Sequence, residues 1–420
     1  MSSVIIAGDT SGTITLAAPA TAGSSVLTLP VATDTLVGKA TTDTLTNKTL
    51  TAPVLGTPAS GILTSCTGLN YDGFKNKIIG GDFTVNPWQR GTSFAAIASG
   101  DFSADRWNSA YVSSAVVTAS KATDAPTAAQ AGIFTQYCLS LAVTTVDATI
   151  AAGDIYIYRQ NIEGLNVASF GFGQAGSRNV TLSFWVKGTK TGIYCACISN
   201  SANNRAYVAE YTIAVTNTWE YKTITIPVDT TGTWLYDTGR GLIVNFVLAA
   251  GTTYQTTANT WAAGNLFATA NQVNALDNTS NVFKIALVQL EAGSVATSFD
   301  VRSVGTELAL CQRYFIKDLQ DAAQATFLVG VVNSATTADR CGMRFPATMR
   351  AAPTAAVGGT SNPRIYNGAA VPTITSISAN SSSTFGASLS LTASAGGLTT
   401  ATPAIIIDNS ASFFTYSAEL

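Results

Sequence analysis

With 420 residues, of which 46% are hydrophobic and only 11% charged, the chain is long enough for two or three domains and is predicted to fold. Its net charge of −2 gives no basic footprint for nucleic acid, and its apolar runs are shorter than the about 20 residues that insert in a membrane. It contains no histidine, which excludes Ser-His-Asp and Cys-His catalysis and histidine-ligated metals. We therefore expect no enzyme, no metal and no cofactor. So few surface charges favour association, which predicts an oligomer.

The first 60 residues have low complexity and repeat a short alternating strand followed by proline. Residues 12–19 (GTITLAAP), 25–30 (SVLTLP) and 43–53 (DTLTNKTLTAP) share this rhythm. Alternation at period two predicts half-buried strands. The apolar face of each strand is so narrow that a core forms only when several chains contribute to it. We predict an extended shaft of three intertwined chains over residues 1–60, and a flexible linker is the alternative interpretation. Turn signals assign residues 61–75 as a joint.

Residues 76–302 change to alternating strands separated by loops rich in Gly, Asn and Thr. The apolar positions of 182–186, 242–248 and 283–287 each share one face of a strand, including positions 283, 285 and 287. This spacing predicts a β-sandwich or jelly roll within an all-β chain. Trp185 points away from the apolar face of its strand, toward either a ligand-accessible surface or a subunit interface.

A short helix is predicted over residues 303–316, between the sandwich and a C-terminal β domain at 317–420. Four residues fall at helical spacing on one face. They are Val304, Leu308, Cys311 and Phe315. Ser303 or Thr306 is the predicted N-terminal cap of this helix.

Two stretches that bracket the sandwich carry a family resemblance. One comprises residues 76–83 (NKIIGGDF) and 105–107 (DRW), and the other is 288–315 (VQLEAGSVATSFDVRSVGTELALCQRYF). They resemble the opening and the end of the receptor-binding domain in tail fibres of tailed bacteriophages. Residues 43–58 (DTLTNKTLTAPVLGTP) are similar to the shaft and virion-anchoring segments of such fibres, and residues 344–353 resemble their segment before a late strand.

The resemblance implies a jelly roll akin to carbohydrate-binding modules, carried on a homotrimeric fibre that binds a glycan of the host cell surface. It also implies that the N-terminal segment joins other tail or baseplate proteins and that the C-terminal domain completes the tip. Residues 1–10 lack a basic n-region and an apolar h-region, so we expect no signal peptide. A virion protein made in the host cytoplasm needs none.

Sugar binding requires aromatic faces and a few placed polar side chains on a concave surface. The segment 234–265 supplies both, and within it residues 251–272 form a long polar loop that bears aromatic residues. We predict a glycan site there. The candidate residues are Trp234, Tyr236, Asp237, Arg240, Tyr254, Asn259 and Trp261. The alternative interpretation is that Trp234 and Trp261 are packing residues.

Other residues of the two bracketing stretches are interpreted as structural. Trp107 is predicted to fill the sandwich core, with Asp105 and Arg106 as a fixed pair. Asp300 is predicted to pair with Arg302 and fasten the closing strand, and a solvated surface acid is the alternative.

Cys195 and Cys197 lie two residues apart in a predicted strand, and we interpret them as buried free thiols. Zinc ligands are usually separated by about two to four residues. Three other functions stay open: a purely structural virion component, a polysaccharide depolymerase, and a secreted adhesin. A depolymerase needs two suitably spaced carboxylates, with Asp229, Asp237 and Glu291 as candidates. A calcium site built from Asp and Asn oxygens also stays open.

Overall fold

The structure is a computed structural model that describes residues 3–7, 11–17, 74–84, 88–319, 326–359, 362–368, 371–407 and 412–420. The chain forms two compact units, Met1–Cys66 and Thr67–Leu420. The architecture is almost entirely β, as the sequence predicts.

The first unit contains one antiparallel pair of strands, β1 (Ser3–Ala7) and β2 (Thr13–Ala17). The first of the predicted alternating strands is therefore present. The repeats predicted at 25–30 and 43–53 lie outside the described residues, and so do residues 61–73 of the joint predicted over 61–75. The three-chain shaft stays a prediction.

A sandwich of two six-stranded antiparallel sheets occupies the first part of the second unit, which confirms the predicted sandwich. Sheet I consists of β4 (Trp107–Val112), β7 (Ile155–Glu163), β9 (Gly192–Asn200), β10 (Arg205–Ile213), β12 (Arg240–Ala250) and β13 (Trp261–Ala263). Its spatial order is β13-β10-β9-β12-β7-β4. Sheet II consists of β3 (Ser93–Phe94), β5 (Val116–Ala122), β6 (Cys138–Thr145), β8 (Val180–Gly188), β11 (Glu220–Ile226) and β14 (Val282–Ala292). Its order is β11-β8-β14-β6-β5-β3.

The loops of the sandwich contain only short helices. These are α1 (Ala128–Ala131), α2 (Gly164–Val167) and two 3₁₀ turns, Ala168–Phe170 and Thr252–Tyr254. The core lies between the two sheets. Trp107 is fully buried there, with its ring 5.3 Å from Phe83 and 6.2 Å from Phe246, so its predicted core position is confirmed. Burying each such side chain contributes roughly 1.5–3 kcal/mol.

The prediction that positions 283, 285 and 287 of β14 share one face of the strand is wrong at position 287. Phe283 and Ile285 point into the core, but Leu287 belongs to a separate cluster on the outer face of sheet II. A β-bulge between Ala286 and Gln289, with Leu287 at φ 51°, turns two consecutive residues outward and resets the alternation.

The opening stretch bonds this bulge, because the amide of Val288 donates to the carbonyl of Gly81 at 2.9 Å. A Cβ atom at position 81 would collide with the carbonyl oxygen of Val288. Only glycine therefore allows the two stretches of the family resemblance to pair here.

The predicted pair of Asp105 and Arg106 is also wrong. Asp105 accepts from Arg90 at 3.0 Å, whereas Arg106 pairs with Glu419 near the C-terminal end. Asp105 and Arg106 are adjacent in a tight turn, in which Arg106 has φ 70°, and each side chain takes a partner from another segment of the chain.

At the closing strand, Arg302 lies 3.0 Å from Glu307 and 3.8 Å from Asp300. The predicted pair with Asp300 is thus present but long, and Glu307 is the nearer partner.

The linking helix α3 (Val304–Gln312) is shorter than predicted. Cys311 is its buried residue, Val304 is 51% exposed, and Phe315 already begins the next strand. Ser303 occupies the N-cap position, but its hydroxyl contacts Thr306 rather than a helix amide.

The C-terminal domain contains a three-stranded and a six-stranded sheet, in the orders β15-β23-β18 and β19-β22-β16-β17-β21-β20. The strands are β15 (Phe315–Leu319), β16 (Thr326–Ser334), β17 (Thr337–Arg344), β18 (Thr354–Gly359), β19 (Arg364–Tyr366), β20 (Ile374–Ser382), β21 (Gly386–Ala393), β22 (Pro403–Ile407) and β23 (Ser412–Ser417). Glu163 of the sandwich is fully buried and bonds Arg313 at 2.5 Å and the Tyr314 hydroxyl at 2.6 Å, where the two domains meet.

Candidate functional site

Four aromatic rings meet at one end of the sandwich and include both predicted tryptophans. Trp234 packs on Phe172 with ring centroids 4.5 Å apart, and Trp261 meets Trp234 edge-on at 5.6 Å. Tyr207 lies 5.5 Å from Trp261. We call this group, Phe172, Tyr207, Trp234 and Trp261, the corner cluster. The structure thus brings together residues that are 27 positions apart in the predicted site.

The two indole nitrogens of the corner cluster are already bonded within the chain. The Trp234 indole nitrogen donates to the Thr231 carbonyl at 2.8 Å, and the Trp261 nitrogen donates to the Pro227 carbonyl at 2.7 Å. The Tyr236 hydroxyl also donates to a backbone carbonyl. Trp234 is only 8% exposed, so the packing interpretation fits this residue. Trp261 and Tyr236 are half-buried and retain accessible surface.

The other residues of the predicted glycan site have separate local contacts and do not form one group. The exposed Asp237 accepts from an amide of its own turn at 2.8 Å, and the exposed Asn259 occupies a left-handed turn position at φ 61°. The Arg240 guanidinium donates to the carbonyl of Ser201. Tyr254 packs against Phe267, with centroids 5.9 Å apart, in a cluster apart from the corner. Their role in glycan binding stays a prediction.

The long loop over residues 251–272 covers the outer face of sheet I. Its Phe267 and Ala268 are buried against Cys195 and Cys197 of β9. Burial raises the pKa of both thiols, as expected for inert core cysteines. This loop therefore has a packing role that its polar composition did not reveal.

A second pair of aromatic residues lies on the outer face of sheet II. Trp185 of β8 and Tyr221 of β11 are direct partners in the antiparallel register, with ring centroids 5.4 Å apart. Tyr221 is 45% exposed and Trp185 is half-buried. We call this pair the aromatic shelf. Within the described part of the chain, neither the Trp185 indole nitrogen nor the Tyr221 hydroxyl has a hydrogen-bond partner.

A pocket of about 170 Å³ opens beside the shelf. Its other lining residues combine hydroxyl, amide and apolar groups: Gln130, Ser183, Leu287, Thr297, Ser298 and Phe299. Aromatic faces beside a few polar groups are the general composition of a small-ligand site. The shelf and its pocket are therefore the surface of the sandwich best suited to bind a sugar.

The bulge in β14 supports the shelf from below. It turns Leu287 outward into a cluster with Trp185 and Trp219, where Leu287 is only 4% exposed. Sequence alternation placed Trp185 on this outer face correctly. It gave no signal that Tyr221 is its cross-strand partner, because register depends on how the strands pair.

Two lysines and one acid lie on the same face of sheet II. Asp124 contacts Lys187 at 2.9 Å and Lys284 at 2.6 Å. Burial would raise the pKa of Asp124, but hydrogen bonds from Lys284 and Lys187 outweigh burial and hold this pKa below its ordinary value. Burial raises the pKa of the nearby Cys138 thiol to about 12. Asp124 is therefore paired with both lysines, and these three charges sum to +1.

Within the described residues, no three His, Cys, Asp or Glu side chains are grouped so as to hold a metal ion. In the same part of the chain, no helix has the length and apolar character needed to cross a membrane.

Comparison with known proteins gave likenesses to solved structures only. No family model matches the chain, and no curated protein matches its sequence. The tailspike protein 4 domain of bacteriophage CBA120 is 16% identical, with a TM-score of 0.30, over 52% of this chain and 21% of that one. The chain thus spans about a fifth of the tailspike.

Carbohydrate-binding modules are also among the similar structures. TmCBM61, solved with β-1,4-galactotriose, is 12% identical with a TM-score of 0.26, over 52% of this chain and 98% of the module. The family 11 module of a Clostridium thermocellum cellulase is 12% identical with a TM-score of 0.25, over 48% of this chain and 95% of the module. Likenesses this distant support no conclusion about the ligand of this chain.

Proposed function

We propose that this protein is a tail fibre of a tailed bacteriophage that attaches to the host by binding a cell-surface glycan at the aromatic shelf. The observation that carries the proposal is the open pair of Trp185 and Tyr221, whose polar atoms bond no described residue. An aromatic face with a free N–H or O–H can stack on a pyranose ring and bond its hydroxyl groups at once.

The surroundings of the shelf support a sugar more than a purely apolar ligand. Ser183, Thr297, Ser298 and Gln130 line the adjoining pocket and contribute hydroxyl and amide groups to it. A polyhydroxylated ligand suits a face on which the charged groups, Asp124 with Lys187 and Lys284, already bond one another.

The phage setting is supported by the residues that resemble tail fibres. The opening and closing stretches bond each other through Gly81 and Val288, so they act as one structural unit. We propose a homotrimer whose residues 1–60 form the shaft and join tail or baseplate proteins, which places the protein in the virion. Three sites on one rigid tip would raise the avidity for a repeated glycan through their effective concentration.

We further propose that the protein binds without hydrolysing its ligand. Two of the carboxylates considered for catalysis are already engaged. Asp229 accepts from Arg205 at 2.6 Å, and Glu291 accepts from Thr297 at 2.6 Å and Gln289 at 2.7 Å. Release of reducing ends from a host polysaccharide would contradict this part of the proposal.

Replacement of the shelf residues tests the proposal directly. We expect Trp185→Ala and Tyr221→Ala each to weaken binding at least about tenfold on an array of bacterial surface polysaccharides, because truncating a central aromatic contact costs about 2 kcal/mol or more. Tyr366, 41% exposed in the C-terminal domain, provides the matched control in Tyr366→Ala. Unchanged binding by both shelf variants would reject the shelf as the glycan site, and Trp261→Ala would then test the predicted corner.

A structural fibre component is the second candidate. Next to the shelf, Phe134, Val301 and Val304 are 79%, 67% and 51% exposed around a neighbouring pocket. Exposed apolar side chains gathered in this way are typical of surfaces that another subunit covers. A native mass of three times the 43.3 kDa of one chain is expected for the trimer. A trimer that binds neither glycans nor cells would favour the structural role.

A further inference from the structure

A second cavity adjoins the pocket beside the aromatic shelf. Its volume is about 190 Å³, and it shares Leu287 and Phe299 with the pocket beside the shelf. Of the closing stretch, Thr297 and Ser298 line the pocket beside the shelf, whereas Val301 lines the second cavity. The two cavities therefore adjoin each other across Phe299.

The second cavity combines aromatic faces with hydrogen-bonding groups. Phe134 is 79% exposed at this cavity, and Phe299 is half-buried. Asp82 lines the cavity, and so do Thr84 and Thr135, whose hydroxyl oxygens lie 3.3 Å apart. We call this cavity the Asp82 pocket. A cavity of about 10–15 Å³ already holds one water molecule, so the Asp82 pocket admits a much larger group.

The Asp82 carboxylate has acceptor capacity that the chain does not use. Its hydrogen bonds come from its own turn, residues 82–84, where the Thr84 amide lies 3.4 Å from Oδ1. No other described residue donates a hydrogen bond to this carboxylate. Burial, the largest influence, raises the pKa of Asp82, because these bonds replace the lost hydration only in part. A ligand that donates hydrogen bonds would supply what this carboxylate lacks.

The charges around the Asp82 pocket disfavour an acidic ligand. Glu307 also lines the pocket and pairs at 3.0 Å with Arg302, whose side chain is only 5% exposed. Lys121 attracts Asp82 as well, but its ammonium lies over the Tyr137 ring, 3.9 Å from the centroid. Neither of these described cations donates a hydrogen bond to Asp82. A carboxylate on a ligand would therefore be repelled by two acids, and the pocket favours a sugar that is neutral or bears an amino group.

We propose that the Asp82 pocket is a second sugar subsite, so that the ligand is an oligosaccharide with one unit on the aromatic shelf and another in this pocket. The second unit stacks on Phe134 and donates a hydrogen bond from a hydroxyl or amino group to Asp82. An acidic sugar is excluded from this position. The inference rests on glycan binding at the shelf, and it adds the minimum length of the ligand and the charge of its second unit.

An array of defined sugars, probed with the intact chain, tests the subsite. The array presents neutral hexoses, hexosamines and hexuronic acids, each as a monosaccharide and as a disaccharide of one class. We expect disaccharides of neutral or amino sugars to bind at least about tenfold more tightly than their monosaccharides, because they fill both positions at once. Disaccharides of two hexuronic acids should show no such gain.

Two variants separate the pocket from the shelf. Phe134→Ala and Asp82→Asn should each weaken binding of the disaccharides at least about fivefold and leave monosaccharide binding unchanged, whereas Trp185→Ala should weaken both. Asp82→Asn keeps the size of the side chain but removes its charge, so it should also reduce the discrimination against hexuronic acids. Phe385→Ala and Asp101→Asn are matched controls, because they remove an exposed phenylalanine and an exposed acid outside the pocket.

The failure of the subsite and the failure of the shelf give different results. Equal binding of mono- and disaccharides, or full affinity of both pocket variants while Trp185→Ala loses binding, would reject the subsite and leave the shelf as the glycan site. Normal binding by Trp185→Ala would reject the shelf and with it the two-unit ligand. Binding of no sugar at all would reject both.

Two further results would overturn the assignment of the pocket. Preferred binding of the hexuronic disaccharides would contradict the role of Asp82. Because Phe134 is mostly in solvent, Phe134→Ala should fold normally and keep the native mass of the wild type. A lower native mass for this variant would assign the pocket to a contact between subunits instead.

Discussion

The corner cluster and the aromatic shelf contain similar side chains in opposite situations. In the corner, Trp234 is 8% exposed and its indole nitrogen bonds a backbone carbonyl. On the shelf, Tyr221 is 45% exposed, and neither its hydroxyl nor the Trp185 nitrogen bonds a described residue. Residue type alone does not distinguish an aromatic residue that packs in the fold from one that can bind a ligand. The exposure of the ring and the hydrogen bonds of its polar atom distinguish the two.

The comparison also explains why a polar, aromatic-bearing segment drew attention to the corner. The polar segments around Trp234 and Trp261 are loops whose backbone carbonyls, those of Thr231 and Pro227, accept hydrogen bonds from the two indole nitrogens. A polar environment around an aromatic residue therefore has two origins, and only the accessible ring face indicates a ligand.

The largest expected difference between the two regions concerns stability. Trp234→Ala should destabilise the sandwich by about 3–5 kcal/mol, because it removes a large buried ring and leaves a cavity. Trp185→Ala should cost much less, since that ring is half in solvent. Melting temperatures of the two variants in the same buffer measure the difference. Equal losses would show that the shelf is also a packing element, and would break the comparison.

A smaller, pH-dependent effect is expected beside the corner. Burial would raise the pKa of Asp229, but hydrogen bonds from Arg205 and Thr231 outweigh it and hold the pKa below 3.8. Asp229 therefore contributes stability that is complete above 3.8 and is lost as the pH falls through its lower folded-state pKa.

Melting temperatures recorded from about pH 5 down to about pH 2 measure this loss. Arg205→Gln should reduce the dependence on acid, because the lowered pKa of Asp229 rests mainly on Arg205. If the melting temperature falls with pH in the same way in wild type and variant, the Asp229–Arg205 pair does not stabilise the protein near the corner cluster.

The smallest expected effect comes from deleting single hydroxyl groups. Tyr236→Phe should cost about 1 kcal/mol of stability, because its hydroxyl donates to a partly buried carbonyl. Tyr221→Phe should leave stability within about 0.5 kcal/mol and weaken glycan binding several-fold instead. The melting temperature and the array affinity of both variants, measured together, sharpen the comparison. If Tyr236→Phe weakened glycan binding and Tyr221→Phe lowered stability, the corner would be the binding region and the shelf the packing region.

Much of the sandwich could be predicted from alternation, because apolar residues that line one face of a strand repeat at period two. The outward position of Trp185 follows from this rule, whereas the core position of Trp107 was predicted from the stretch that resembles tail fibres. The rule fails at Leu287, where a bulge inserts an extra residue and reverses the faces. No local signal in the sequence marked that bulge, since its partner strands lie far away along the chain.

Ion pairs were less predictable than strands. Asp105 and Arg106 are adjacent in sequence but bond Arg90 and Glu419, and Glu419 lies more than 300 positions away. Charged side chains take whichever partner the fold brings near, and adjacency in the sequence does not ensure a contact.

By itself, the amino-acid sequence determined the all-β class and the family resemblance. It also predicted a division into shaft, sandwich, linking helix and C-terminal domain. These follow from composition, periodicity and local motifs, which depend on short-range order. Only the tertiary structure decided that Trp185 meets Tyr221 and that Trp234 is buried. Those features depend on strand register and on long-range packing, because a side chain's exposure and partners are set by residues far from it along the chain.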